Sequence, residues 1–182
     1  MKRLLLAAAA ALSLTGCSYL PGPFGDARVV AAPTAPSSET EAYLRAAGES
    51  DIYEITSSQL ALQRTQNPDV RAYAAMLIDH HTGTTNLTLA AAQRGGVAPP
   101  PVVLGPARRA LIDQLNAVAG SAFDRLYIAQ QVPAHEEALA LHGAYARTGD
   151  VPPLRKSAGA AVPVVTRHLE QARALQARLG GM

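Results

Sequence analysis

The amino-acid sequence predicts an all-α protein: a four-helix bundle made of two antiparallel hairpins and a long crossover, preceded by an export signal and a tether. Three observations predict it. Apolar residues recur at helical spacing along four long stretches, which is the pattern of helices with one buried face. Each stretch is punctuated by Pro or Gly. Ala is abundant, aromatic residues make up only 4% of the chain and Trp is absent, a composition that favours close-packed helices over strands.

At the N-terminus, Lys2 and Arg3 precede an apolar run from Leu4 to Leu14 that closes on Leu14-Thr15-Gly16-Cys17. A basic start, an apolar segment too short to span a bilayer and a small-residue end are the marks of a secretory signal. The closing four residues resemble the bacterial lipobox. That resemblance implies cleavage before Cys17, a diacylglyceryl thioether on its thiol and, usually, acylation of its new amine. Cys17 is the only cysteine in 182 residues, so once its thiol is consumed neither a disulfide nor cysteine–metal chemistry remains. Two or three acyl chains hold a protein on a bilayer far more firmly than one. Ser18 after the cysteine resembles the outer-membrane sorting signal, and the expected location is the outer membrane, facing the periplasm. The predicted organisation is a signal peptide over 1–16, the lipidated Cys17 with a Pro/Gly-rich tether over 17–37, and the bundle over 38–180. Removing Lys2 and Arg3 takes the formal charge of +2 to zero, which leaves no basic footprint for nucleic acid.

The tether carries Pro21, Gly22, Pro23, Gly25, Pro33 and Pro36 and reads as extended chain. The first helix is predicted over Thr40 to Gln66, with Leu44, Ala47, Ile55 and Leu62 on one stripe, and it stops at Asn67-Pro68. Pro68 and Asp69 suit a first turn, so the second helix follows at once. It runs to Arg94, with Tyr73, Leu77, His80, Thr84, Leu87 and Ala91 along one face, and ends at Gly95-Gly96. Pro99-Pro100-Pro101 and a short helix from Pro106 to Val118 make the connection. The third long helix, Ser121 to Arg147, buries Phe123, Tyr127, Ala134, Ala138, Leu141 and Tyr145; the fourth, Pro152 to Leu179, buries Leu154, Ala158, Val165, His168, Ala172 and Leu175. Pro133 and Pro163 fall within these two helices and predict kinks. Two tight hairpins joined by a long crossover form the ferritin-like arrangement of four helices.

Ionisable residues gather at mid-height. Glu54 and His80 each lie 13 residues from Asn67, one back and one forward, so they face each other across the first hairpin. His135 and His168 lie 15 and 18 residues from Asp150, a mismatch of about 4.5 Å at the helical rise. At 100° per residue, His80 and His168 fall within their apolar stripes. His135 lies at a stripe edge in a polar seam with Asp124, Gln131 and His142. Glu54 is also at an edge, with Asp51 nearer the centre one turn away, and His81 and Asp79 point away from the centre of their stripe.

A buried imidazole must be hydrogen-bonded or metal-bound, because an orphaned buried polar group costs about 1–3 kcal/mol. Two readings follow. In one, the hydroxyls of Tyr73, Tyr127 and Tyr145 satisfy Glu54 and the histidines in a closed polar network. In the other, Glu54, His80, His135 and His168 hold one ion, for which zinc, copper, iron and manganese all suit the donor types.

Tyr53-Glu54-Ile55, Asn67-Pro68-Asp69-Val70, Met76-Leu77-Ile78-Asp79-His80, Phe123-Asp124-Arg125-Leu126-Tyr127 and the surroundings of His135 and His168 occur in an order that resembles the bacterial domain-of-unknown-function family 4142. The resemblance covers Glu41 to Leu175. It implies a ferritin-like bundle in an exported, often lipid-anchored protein, and no established activity. Iron-oxidising ferritin-like proteins use Glu-x-x-His pairs, whereas here Glu54 is followed three residues later by Ser57 and no such pair occurs. A di-iron centre is therefore not expected. No nucleophile elbow and no phosphate loop is present, and no motif calls for a small-molecule substrate. The expected function is an envelope lipoprotein with one mid-bundle metal ion. The alternative is a non-catalytic structural module with a polar core that meets an envelope protein partner. A redox enzyme, the third reading, would need an open coordination position and a substrate path, and the sequence displays neither.

Overall fold

The computed structural model describes residues 33–181. The signal peptide 1–16, Cys17 and most of the 17–37 tether lie outside the described residues. Within them the chain folds as α1 (Ser38–Arg64), α2 (Pro68–Arg94), α3 (Pro106–Asn116), α4 (Gly120–Thr148) and α5 (Pro152–Gly180). Every boundary falls within two residues of its sequence-predicted position. Pro133 and Pro163, where kinks are expected, lie inside α4 and α5, and both helices continue through them.

Local chemistry fixes the ends. Ser37 Oγ accepts from the Thr40 amide at the start of α1. Asn67 Oδ1 accepts from the amides of Asp69 and Val70 at 2.9 and 3.2 Å, and Pro68 takes the first helical position, where its missing N–H costs nothing. The turn between α1 and α2 is therefore three residues long, as is the one between α4 and α5. Arg64 Nη1 donates to the carbonyls of Leu115, Asn116 and Val118 at 2.9–3.2 Å, satisfying the exposed carbonyls at the end of α3. Gly120 opens α4 at φ +59°, a left-handed conformation that a side chain would strain.

The helices pack as a bundle in which α1 lies against α2 and α4, and α5 lies against the same two. Neighbours are antiparallel. The start of α1 meets the end of α4, where Thr40 Oγ1 and the Tyr145 hydroxyl are 2.5 Å apart, and the start of α2 meets the end of α5 through Asp69 and Arg178. The connection from α2 to α4 climbs along α1. Pro101 O accepts from Arg45 at 3.2 Å, and the Gly105 amide donates to Glu49 at 2.8 Å. No described helix is long and apolar enough to cross a membrane.

The apolar interior is divided. One cluster holds Leu77, Phe123, Tyr127, Ile128 and Leu175 with their neighbours. The other gathers Tyr43, Leu44, Ala92, Tyr145 and Leu154 at the opposite end. Between them, at mid-height on all four long helices, lies a layer of buried polar side chains: Glu54, His81, His135 and His168.

Candidate metal centre

Each long helix contributes to this layer. Glu54 comes from α1, His81 from α2, His135 from α4 and His168 from α5, and all four are buried. One ring nitrogen from each of the three histidines lies within 4.8 Å of the other two. The ring centroids are 5.8 Å apart for His81 and His135 and 5.3 Å apart for His168 with either. The triad could hold one metal ion. A tetrahedral ion with bonds of about 2.0–2.1 Å sets its donor atoms about 3.4 Å apart, so each ring need move inward by less than about 1 Å.

The outward nitrogen of every ring is held. His81 Nδ1 is 2.8 Å from Asp51 Oδ1, and Thr85 donates to Asp51 Oδ2 at 2.6 Å. His135 Nδ1 donates to the main-chain carbonyl of Gln131, one turn back, at 2.8 Å. His168 Nε2 is 2.8 Å from His80 Nδ1. A carboxylate and a backbone carbonyl are the partners that ligating histidines use to fix ring orientation and tautomer; for His168 a second imidazole, His80, takes that place. The inward atoms are the opposite case. His81 Nε2, His135 Nε2, His168 Nδ1 and both oxygens of Glu54 are buried without a hydrogen-bond partner among the described residues. With His81 Nδ1 and His135 Nδ1 acting as donors, their Nε2 atoms carry lone pairs. The three unpartnered ring nitrogens thus face one another, an arrangement a cation would complete.

Electrostatics treat the rings differently: they favour the neutral, ligating form at His168 and the protonated form at His81, which a metal ion would have to displace. Burial, and then the positive charges its neighbours His81, His135 and His80 would carry, push His168 down to about 2, so it is neutral and able to ligate. Burial opposes charge on His81 as well, but its hydrogen bond to Asp51 and the charges of Glu54 and Asp51 outweigh that and raise its pKa. Burial first, and Glu54 second, raise the pKa values of Tyr53 and Tyr73.

The closed tyrosine network does not form. Tyr73 donates to the His168 carbonyl, Tyr127 pairs with Ser58 and Tyr145 with Thr40; none reaches Glu54 or a ring of the triad. Of the sequence-predicted set, His135 and His168 join the triad, and Glu54 is buried beside it, its Oε1 3.9 Å from His135 Nδ1, the nitrogen that also faces the Gln131 carbonyl. His80 lies outside the triad. It is half-buried, stacked on His168 at 5.1 Å, and acts as that ring's outer partner. His81, expected to point away, takes the inward place. Including Leu87 in the stripe drew its centre toward His80, yet Leu87 is 61% exposed. The buried positions Val70, Ala74, Leu77 and His81 follow a 4-3-4 spacing, which is the signal that selects His81.

A helix-packed bundle with a buried histidine triad is therefore the class of protein that fold and site define. The chain belongs to DUF4142, a domain of unknown function, whose match spans residues 26–175. Neither a curated protein nor a solved structure matches it.

Proposed function

We propose that this domain binds a single divalent transition-metal ion through His81, His135 and His168, with Glu54 as the fourth ligand, and does so as a lipoprotein tethered to the cell envelope. The observation that carries the reading is the convergence of three partnerless imidazole nitrogens beside a carboxylate with no partner for either oxygen. Left without an ion, each such atom costs about 1–3 kcal/mol, and a polar core kept only for helix register would be closed by the nearby tyrosines. Three nitrogens and one oxygen suit zinc, copper, iron or manganese; a single carboxylate does not supply the bridges of a di-iron pair. The two hairpins and the crossover along α1 support a ferritin-like topology for the bundle that carries the ion. Anchoring rests on Leu14-Thr15-Gly16-Cys17, with Ser18 directing the protein to the outer membrane.

Metal analysis of protein purified without a histidine tag tests the centre. About one ion per chain is expected, lost in the His135→Ala, His168→Ala double variant; equal metal content in the folded variant sinks the proposal. The anchor is tested separately. Cys17→Ala should move the protein from the membrane to the soluble fraction, and retention on the membrane would remove the lipid from the reading.

A further inference from the structure

A cavity of about 310 Å³ lies between α1 and α2, beneath the crossover. Ile52 and Ile55 of α1, Leu89 of α2, and Pro100 and Val102 of the crossover wall it. Its roof is set close: a Cβ on Gly48 would come within 3.0 Å of Val102 Cγ2, so the crossover rests on bare α1 backbone. Arg45 and Glu49 hold that roof through Pro101 and Gly105. Leu89 stands at the rim, 45% exposed, an apolar group left in water. Pockets of about 300–1,000 Å³ with apolar walls and a few convergent polar groups are the form taken by small-molecule sites.

The single ionisable group lining this cavity is Asp51. His81 engages Oδ1, and Thr85 engages Oδ2. Thr84 Oγ1 is 3.4 and 3.5 Å from the two oxygens and donates instead to the His81 carbonyl at 3.0 Å. A carboxylate accepts about four hydrogen bonds, and two short ones are made here, so acceptor capacity remains on Asp51, whose side chain is 12% exposed. Apolar walls reject a hydrated ion, and a carboxylate floor rejects an anion. A charged donor makes a hydrogen bond about twice as strong as a neutral one.

We propose that this cavity binds a small apolar molecule carrying a primary ammonium group, with the ammonium on Asp51 and the tail between Ile52, Ile55, Leu89 and Val102. Asp51 is also the outer partner of His81 in the metal reading, and the ammonium uses the acceptor positions that His81 and Thr85 leave open.

Calorimetry on the chelator-treated protein at pH 7, with n-hexylammonium, 1-hexanol and hexanoate as probes of equal tail length, tests it. Hexylammonium should bind about tenfold tighter than hexanol, and hexanoate most weakly. Asp51→Asn should bring the first two together. Leu89→Ser should weaken both alike. Thr85→Val frees an oxygen of Asp51 and should tighten hexylammonium while leaving hexanol unchanged, a result that decides the matter even if Asp51→Asn does not fold. Absence of hexylammonium binding, affinity no better than that of hexanoate, or a preference that survives Asp51→Asn overturns the proposal. Since metal is removed throughout, failure of the metal centre would not produce any of these outcomes.

Discussion

Replacing Glu54 with leucine should move the stability of the metal-free and metal-loaded protein in opposite directions. Glu54 is 0% exposed, neither of its oxygens has a hydrogen-bond partner among the described residues, and His135 Nδ1 lies 3.9 Å from its Oε1. Removing such a group in favour of an apolar one of similar size recovers about 1–3 kcal/mol. For a domain of this length each kcal/mol is worth about 2–4 °C, so the chelator-treated Glu54→Leu protein should melt about 2–12 °C higher than the parent. The added ion acts the other way. A ligand at a hundred times its Kd stabilises the folded state by about 2.7 kcal/mol, and loss of a ligating oxygen should cut affinity by more than the roughly 10–100-fold that loss of an outer partner costs. Thermal unfolding followed by circular dichroism, with chelator and with added zinc, reads both effects. A lower melting point in the metal-free variant, or an undiminished rise with zinc, would refute the argument.

His80 should matter through His168 alone. His80→Ala should weaken metal binding about 10–100-fold while leaving the stoichiometry at about one ion, and a Co²⁺-substituted variant should show an altered visible spectrum; unchanged affinity would remove its orienting role. The metal-free protein should lose stability in acid. His168 and His142 have lowered pKa values, burial being the main cause for both, so below about 6.5 the unfolded chain takes up protons that these two refuse. His81, whose pKa is raised, works in the other direction: its contribution is complete below about 6.5 and is lost as pH rises through its folded value. With two groups against one, the urea midpoint should be lower at pH 5 than at pH 7, and an equal or higher midpoint would contradict the assignment.

Helix boundaries were legible because the punctuation is local: Pro68, Pro106 and Pro152 start helices, and Gly95 and Gly149 stop them. Height was legible too, since counting from a tight turn places side chains along the axis. Rotation about the axis was not. Adjacent positions differ by 100°, and the centre of the α2 stripe falls between His80 and His81, so one misassigned leucine exchanged their roles. The Asp51–His81 and His80–His168 pairs depend on how neighbouring helices turn toward each other, which periodicity within one helix does not encode. The cavity beneath the crossover was equally hidden, because it arises from Val102 settling on Gly48, two segments with no shared pattern.

The division of ligands among the helices has a further consequence for assembly. In the proposed centre each hairpin carries two of the four donors, so neither hairpin alone would offer an ion more than half of its coordination shell. Tight binding then requires both hairpins docked and in register. An ion held with full affinity would report that the whole bundle has formed, and a chain cut within the crossover would lose that affinity unless its halves reassociate.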